Sequence, residues 1–149
     1  MKKTTNVFMV ITGAIPFVLG GIQNKLMMVL SYEVLPFYLL AAFFWLFWGV
    51  LAFFFYQKVK NTKKIVVLLN AVAAVDLLLL GIQEFIVQAY WMNVVGSWSQ
   101  LFYLPLIKVG FTLANWSHTM FTAYVVSFIL MVAASILGCK ISISYSEMK

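Results

Sequence analysis

Residues 65–87 read IVVLLNAVAAVDLLLLGIQEFIV, and this stretch decides the fold because it places Asp76 in the middle of an apolar run. At 1.5 Å per residue, a helix of this length measures roughly 34 Å and can cross a hydrocarbon core of about 30 Å with some tilt. Asp76 then lies near the middle of the membrane. An ionised aspartate at that depth costs about 2.5–3.5 kcal/mol on insertion scales. We therefore expect Asp76 to face the interior of a helix bundle, to meet a hydrogen-bond donor or to stay protonated.

The same run carries Gln83 and Glu84 near its far end. At about 100° per residue, Gln83 lies only some 20° from Asp76 around the helix axis, and Glu84 lies about 80° away. One side of this helix is therefore polar.

The composition is that of a membrane protein. Of the 149 residues, 64% are hydrophobic and 9% are charged, whereas soluble domains carry roughly 25% charged residues. The net charge is +6, but every basic residue is a lysine, so the bidentate phosphate and base contacts that arginine makes in nucleic-acid readers are missing. We expect the lipid bilayer as a partner and no nucleic acid. The single cysteine, Cys139, excludes an intrachain disulfide and a CxxC redox or zinc motif.

Three further apolar runs predict membrane spans, so the whole chain, residues 1–149, forms one polytopic domain. The four spans are residues 7–30, 36–56, 65–87 and 119–139. Pro16 cannot donate a hydrogen bond to the carbonyl of Thr12 and should kink the first span.

Lysines predict the orientation of these spans. The connection over residues 57–64, QKVKNTKK, holds four lysines, and the positive-inside rule places it in the cytoplasm. With four spans both termini are cytoplasmic, and only Lys25 and Lys108 lie on the outer side. Residues 89–118 are apolar and aromatic but are broken by Gly96 and Pro105, which predicts an amphipathic or re-entrant outer segment between the third and fourth spans. A five-span alternative uses residues 100–116 as a membrane helix and places the C-terminus outside.

Several polar residues lie at about the same distance from the inner ends of their spans. Lys25 lies about 27 Å and Glu84 about 28 Å from the inner ends of the first and third spans, so the two side chains can pair if these helices are neighbours. We expect a polar funnel that opens outward and ends at the midplane carboxyl. Its candidate ligand- or partner-binding residues are Lys25, Asn24, Gln23, His118, Glu84, Gln83 and Asp76.

Enzymatic function is disfavoured. His118 is the only histidine, so one chain cannot hold a haem between two histidines, although a dimer or His/Met ligation stays open. The chain has no G-x-S-x-G, HExxH or phosphate-loop motif, and it lacks the ligands of a zinc or di-metal site. We expect no catalytic residue, no metal and no cofactor.

Three functions remain as hypotheses. The first is an accessory or oligomeric subunit of a membrane complex, in which Asp76 contacts the partner. The second is a small transporter or binding protein whose outward polar pocket takes a small ligand or a proton. The third is a membrane enzyme that needs a partner or a cofactor. A bundle of four spans rarely builds a whole translocation path, so we expect a homo-oligomer or a larger membrane-protein partner, in a cell membrane and most simply the bacterial cytoplasmic membrane.

Within the first span, Gly13, Phe17 and Gly21 precede the pair Lys25-Leu26. This pattern resembles the opening helix of DoxX-type four-helix membrane proteins. The acidic residue of that family's second helix has no counterpart in residues 36–56. The resemblance implies a four-helix topology, and it carries no function or site residue to this chain.

Overall fold

All the elements that the structure describes are helices. The computed structural model describes residues 2–30, 35–88, 94–117 and 119–148, so His118 lies outside the described residues. In chain order the elements are α1 (Lys2–Thr12), α2 (Ile15–Val29), α3 (Phe37–Val59), α4 (Thr62–Leu69), α5 (Ala71–Ile82), a π-helical turn that continues α5 (Gln83–Val87), α6 (Val94–Leu113) and α7 (Met120–Glu147). The prediction of an all-helical chain is confirmed for these residues.

Three helical stretches among the described residues are long and apolar enough to cross a membrane. They are Thr4–Val29, which α1 and α2 form together, Phe37–Val59 and Met120–Glu147. A fourth crossing is present if α4 and α5, with a bend of 45° between them, count as one span. These stretches overlap the four predicted spans, and the last one continues beyond its predicted end. The chain is a helical bundle with three or four candidate membrane crossings.

The first span is interrupted where the sequence predicts a kink. A two-residue turn at positions 13–14 separates α1 from α2, immediately before Pro16. Because proline has no amide hydrogen, the carbonyl of Thr12 loses its helical partner. In the same turn, the amide of Ala14 donates to the carbonyl of Ile11 at 3.0 Å. This bond spans three residues, whereas an α-helical bond spans four.

The predicted third span is bent at Asn70, between α4 and α5. The side-chain nitrogen of Asn70 donates to the carbonyl of Val66 at 2.9 Å, and such local side-chain bonds compete with the backbone ladder and bend helices. The sequence predicts one helix over residues 65–87, and the structure divides it at this residue.

Helix α6 lies in the interior of the bundle. Phe102, Tyr103 and Leu106 are buried, and α6 packs against α2, α3, α5 and α7. The hydroxyl of Tyr103 donates to the carbonyl of Ala73 on α5 at 2.6 Å. The part of the outer segment that the structure describes is thus a core helix, because its aromatic and apolar side chains find protein contacts on several sides.

A close contact between α2 and α6 explains how α6 accommodates Pro105. The proline leaves the carbonyl of Leu101 without a helical donor, and Gly20 of α2 packs against this carbonyl. Any Cβ at Gly20 would overlap the carbonyl oxygen. One turn further on, the side-chain nitrogen of Gln23 donates to the carbonyl of Leu104 at 3.3 Å. On the facing helix α2, Gly20 makes room for the carbonyl that Pro105 leaves without a donor, and Gln23 donates to a second carbonyl of α6.

Candidate functional site

Asp76 lies on the side of α5 that faces α6, and it is buried with 3% of its surface exposed. Its carboxyl forms a hydrogen bond with the hydroxyl of Ser99 on α6. In the part of the chain that the structure describes, its Oδ2 atom is buried without a hydrogen-bond partner. Ser99 and Tyr103, four residues apart on α6, contact Asp76 and the carbonyl of Ala73 on α5.

A cleft of about 590 Å³ leads to this carboxyl. It lies between the start of α2, the middle of α5 and the first turns of α6. Asp76 and Ser99 are its buried polar residues, and the side chains of Val18, Val95 and Trp98 are exposed. The described residues that line it are Ala14, Phe17, Val18, Asp76, Leu79, Val94, Val95, Trp98 and Ser99. The cleft therefore opens through the side of the bundle, between apolar side chains.

A second polar cluster surrounds Asn70, at the bend of the third span. Its side-chain oxygen accepts from Nε1 of Trp48 at 3.1 Å, and its nitrogen donates to Oγ of Ser135 at 3.0 Å as well as to its own helix. The Ser135 hydroxyl donates in turn to the carbonyl of Met131 at 3.0 Å. This network joins α3, α4 and α7, and every one of these side chains has a partner. Its role is therefore structural.

Glu84 is held at the start of α7. Its Oε2 atom accepts from the backbone amide of Phe121 at 2.9 Å, in the first turn of that helix, where the helix dipole favours a negative charge. Lys25 is exposed on α2. The sequence predicts a Lys25–Glu84 pair on the condition that the first and third spans are neighbours at this level. In the structure the main partner of α2 is α6, whereas α5 packs against α6 and α7.

Two residues of the predicted funnel contact α6 from different helices. Gln23 points to α6 from the α2 side, whereas Asp76 contacts α6 from the α5 side. Gln83 is buried in the π-helical turn and Asn24 is partly buried on α2. The structure thus brings Asp76 together with Ser99 rather than with the predicted outer residues.

Several residues of the site carry no obvious signal in the sequence. Ser99 and Tyr103 share one face of a helix at a spacing of four residues, which is the one pattern that could have indicated them. In the sequence, Trp98 fits a tryptophan at the membrane–water interface, and Tyr124 fits a core residue. In the structure, Tyr124 lies near both Asp76 and Glu84. Their roles depend on which helices meet.

The described residues contain no group of three His, Cys, Asp or Glu side chains that could hold a metal ion. What the Asp76 cleft offers chemically is one hydrogen-bond acceptor at the end of an apolar passage. The group that fits this cleft is apolar and carries a single hydrogen-bond donor. Comparisons of the chain with protein-family models, with curated proteins and with solved structures returned no match.

Proposed function

We propose that this chain is a non-enzymatic, multi-pass membrane subunit in which Asp76 accepts a hydrogen bond from another membrane-embedded chain. The observation that carries the proposal is the buried Oδ2 atom of Asp76, which has no partner among the described residues and lies in a cleft that opens sideways. A buried polar group that lacks its hydrogen bond costs about 1–3 kcal/mol. An incoming donor recovers that free energy.

The rim of the cleft supports a membrane-embedded partner. Val18, Val95 and Trp98 are exposed, and an apolar surface of this kind faces either lipid or the apolar side of another helix. Asp76 is the one ionisable residue among the described residues that line the cleft. A donor delivered from a neighbouring helix therefore meets no second charged group among them, and it reaches the carboxyl once the Asp76 side chain turns into the cleft.

The same geometry supports a re-entrant arrangement of the outer segment. Ser99, near the start of α6, lies beside Asp76, so the first turns of α6 are at the depth of the third span's middle. We place the lysine-rich connection between α3 and α4, with Lys58, Lys63 and Lys64, in the cytoplasm by the positive-inside rule. In this arrangement both termini are cytoplasmic, and the chain belongs to a cell membrane, most simply a bacterial one.

A small ligand is the second candidate occupant. The volume of the cleft, about 590 Å³, falls within the range of about 300–1,000 Å³ that is typical of small-molecule sites. An amphiphile with an apolar body and one donor group fits the chemistry of the cleft. In this version the protein is a binding or transport component, and its ligand enters from the lipid side rather than through an outward funnel.

Native mass spectrometry of the protein in mild detergent separates these functions. We expect a complex with a second polypeptide at fixed ratio that Asp76→Leu dissociates, because leucine removes the acceptor. Asp76→Asn keeps an acceptor oxygen and should retain part of the complex. A discrete small mass that Asp76→Leu releases would favour the ligand instead.

Ser135→Ala is the matched control, because it removes a buried hydroxyl from the Asn70 network and leaves the cleft intact. This variant should lose stability but keep the complex. If Asp76→Leu folds and retains every bound component, Asp76 is not the contact and the proposal fails.

A further inference from the structure

We infer that the cleft receives a second copy of this chain, whose Trp98 indole N–H donates to the Asp76 carboxyl, with the same bond formed in the opposite direction. This inference rests on the proposed function, and it names the partner. It depends on two groups that lie beside each other on the cleft and are left unpaired within the described residues: an acceptor at its floor and a donor at its rim.

The donor is Trp98. Its side chain is 61% exposed, and it is the residue before Ser99, so it lies at about the depth of Asp76. The interior tryptophans of α3 both find acceptors: Trp45 donates to the carbonyl of Leu130 at 2.9 Å, and Trp48 donates to Asn70. Trp98 has no such acceptor in the described part of the chain. An indole N–H in hydrocarbon without an acceptor is unfavourable, and buried tryptophans usually find one.

Symmetry explains why a second copy is the fitting partner. In a two-fold dimer the same patch contacts itself, so a patch must contain both halves of each interaction. An axis along the membrane normal keeps both copies at the same depth, and Trp98 of each copy then meets Asp76 of the other. Because Oδ2 of Asp76 is buried in the single chain, the Asp76 side chain turns into the cleft when the copies meet, and both unpaired groups of both copies are then satisfied. A different partner chain would have to supply a donor and an acceptor at this depth independently.

The surface around the cleft allows this approach. Its exposed side chains come from three helices and are largely apolar: Val18 from α2, Leu79 from α5, and Val94, Val95 and Trp98 from α6. Two such surfaces can pack closely because β-branched and short side chains present little bulk. Among the described residues, the only ionisable group that lines the cleft is the one that receives the donor.

Energy transfer between labelled copies in lipid vesicles tests the inference. The dissociation constant of the dimer is measured by diluting the protein in lipid. Trp98→Phe keeps an aromatic ring and removes the N–H, so the two reciprocal bonds are lost and the dimer should dissociate about tenfold more readily. Trp116→Phe is the matched control: this tryptophan is also exposed but does not line the cleft, and its replacement should leave the constant unchanged.

A double-mutant cycle identifies the acceptor. Asp76→Leu should weaken the dimer by a similar factor, and the double variant should be no weaker than either single variant, because both remove the same bond. Independent, multiplying effects would contradict the pairing. If Asp76→Leu does not fold, the comparison of Trp98→Phe with Trp116→Phe still decides the matter.

Cysteine cross-linking gives a structural readout that does not depend on affinity. In a Cys139→Ser background, Val95→Cys at the cleft should form a covalent dimer with a short bismaleimide. Val67→Cys, which is at least as exposed on α4 but is not part of the cleft lining, should not. Equal cross-linking at both positions would mean chance collisions and would count against the interface.

The outcomes separate this inference from the proposed function. A monomeric protein, or a dimer that Trp98→Phe leaves intact, overturns the inference. If a different protein is then bound in an Asp76-dependent manner, the proposed function stands with another partner. If no complex of either kind depends on Asp76, both fail.

Discussion

Asn70 and Asp76 belong to the same bent helix pair, α4 and α5, and both are 3% exposed, but their hydrogen bonding differs. Asn70 uses its oxygen for one hydrogen bond and its nitrogen for two, and it connects three helices. Asp76 has Ser99 as a partner and a second oxygen that is buried without one in the described residues. A polar residue inside a membrane bundle is thus no guide to function by itself. What distinguishes the two is whether neighbouring helices complete the hydrogen bonds.

The comparison predicts a large loss of stability at the completed network. Asn70→Leu removes the acceptor of Trp48 and the donor to Ser135, and it leaves the indole N–H buried without a partner. We expect the free energy of unfolding to fall by about 3 kcal/mol. Unfolding of the monomer in mixed detergent, followed by circular dichroism, measures this change. A loss below about 1 kcal/mol would mean that the network is not what holds the bend.

A smaller loss is expected where the two helix interruptions meet. A Cβ at Gly13, in the turn between α1 and α2, would lie 2.7 Å from the carbonyl oxygen of Leu69, so the backbone must shift. Gly13→Ala should therefore cost about 1–3 kcal/mol in the same unfolding measurement.

Gly21→Ala is the control for this prediction, because a Cβ at Gly21 meets nothing within 4 Å. It should be neutral or slightly stabilising, since alanine favours the helix by up to about 1 kcal/mol relative to glycine. Equal effects at the two glycines would show that helix propensity, rather than the contact with Leu69, determines stability here.

The smallest change is expected at Asp76. Asp76→Leu removes a buried polar group whose hydrogen bonds are incomplete, and replacing such a group with an apolar one of similar size is often neutral. We expect the free energy of unfolding of the monomer to stay within about 1 kcal/mol of the wild-type value. A loss as large as that of Asn70→Leu would abolish the distinction between the two residues and would make Asp76 a structural group.

The sequence predicted that Asp76 is buried, but it did not predict which residues surround it. The burial of Asp76 follows from its position in the middle of an apolar run, because an exposed carboxylate in hydrocarbon is costly. The expected pairing of Glu84 with Lys25 depended on which spans are neighbours. In the structure Glu84 accepts from the first turn of α7. Ser99 and Trp98 were not identified, because their relevance arises only when α6 packs beside α5.

The sequence by itself determined the class of this protein, the approximate spans and the interruption at Pro16. These properties are local: hydrocarbon requires every backbone group to be bonded within the helix, and a proline removes one donor wherever it stands. Only the tertiary structure decided that the chain bends at Asn70, that α6 enters the core and that the carboxyl of Asp76 faces an open cleft. Helix neighbours in a membrane are chosen by close packing and a few hydrogen bonds, since lipid and protein interior are similarly apolar, and hydropathy therefore carries little information about them.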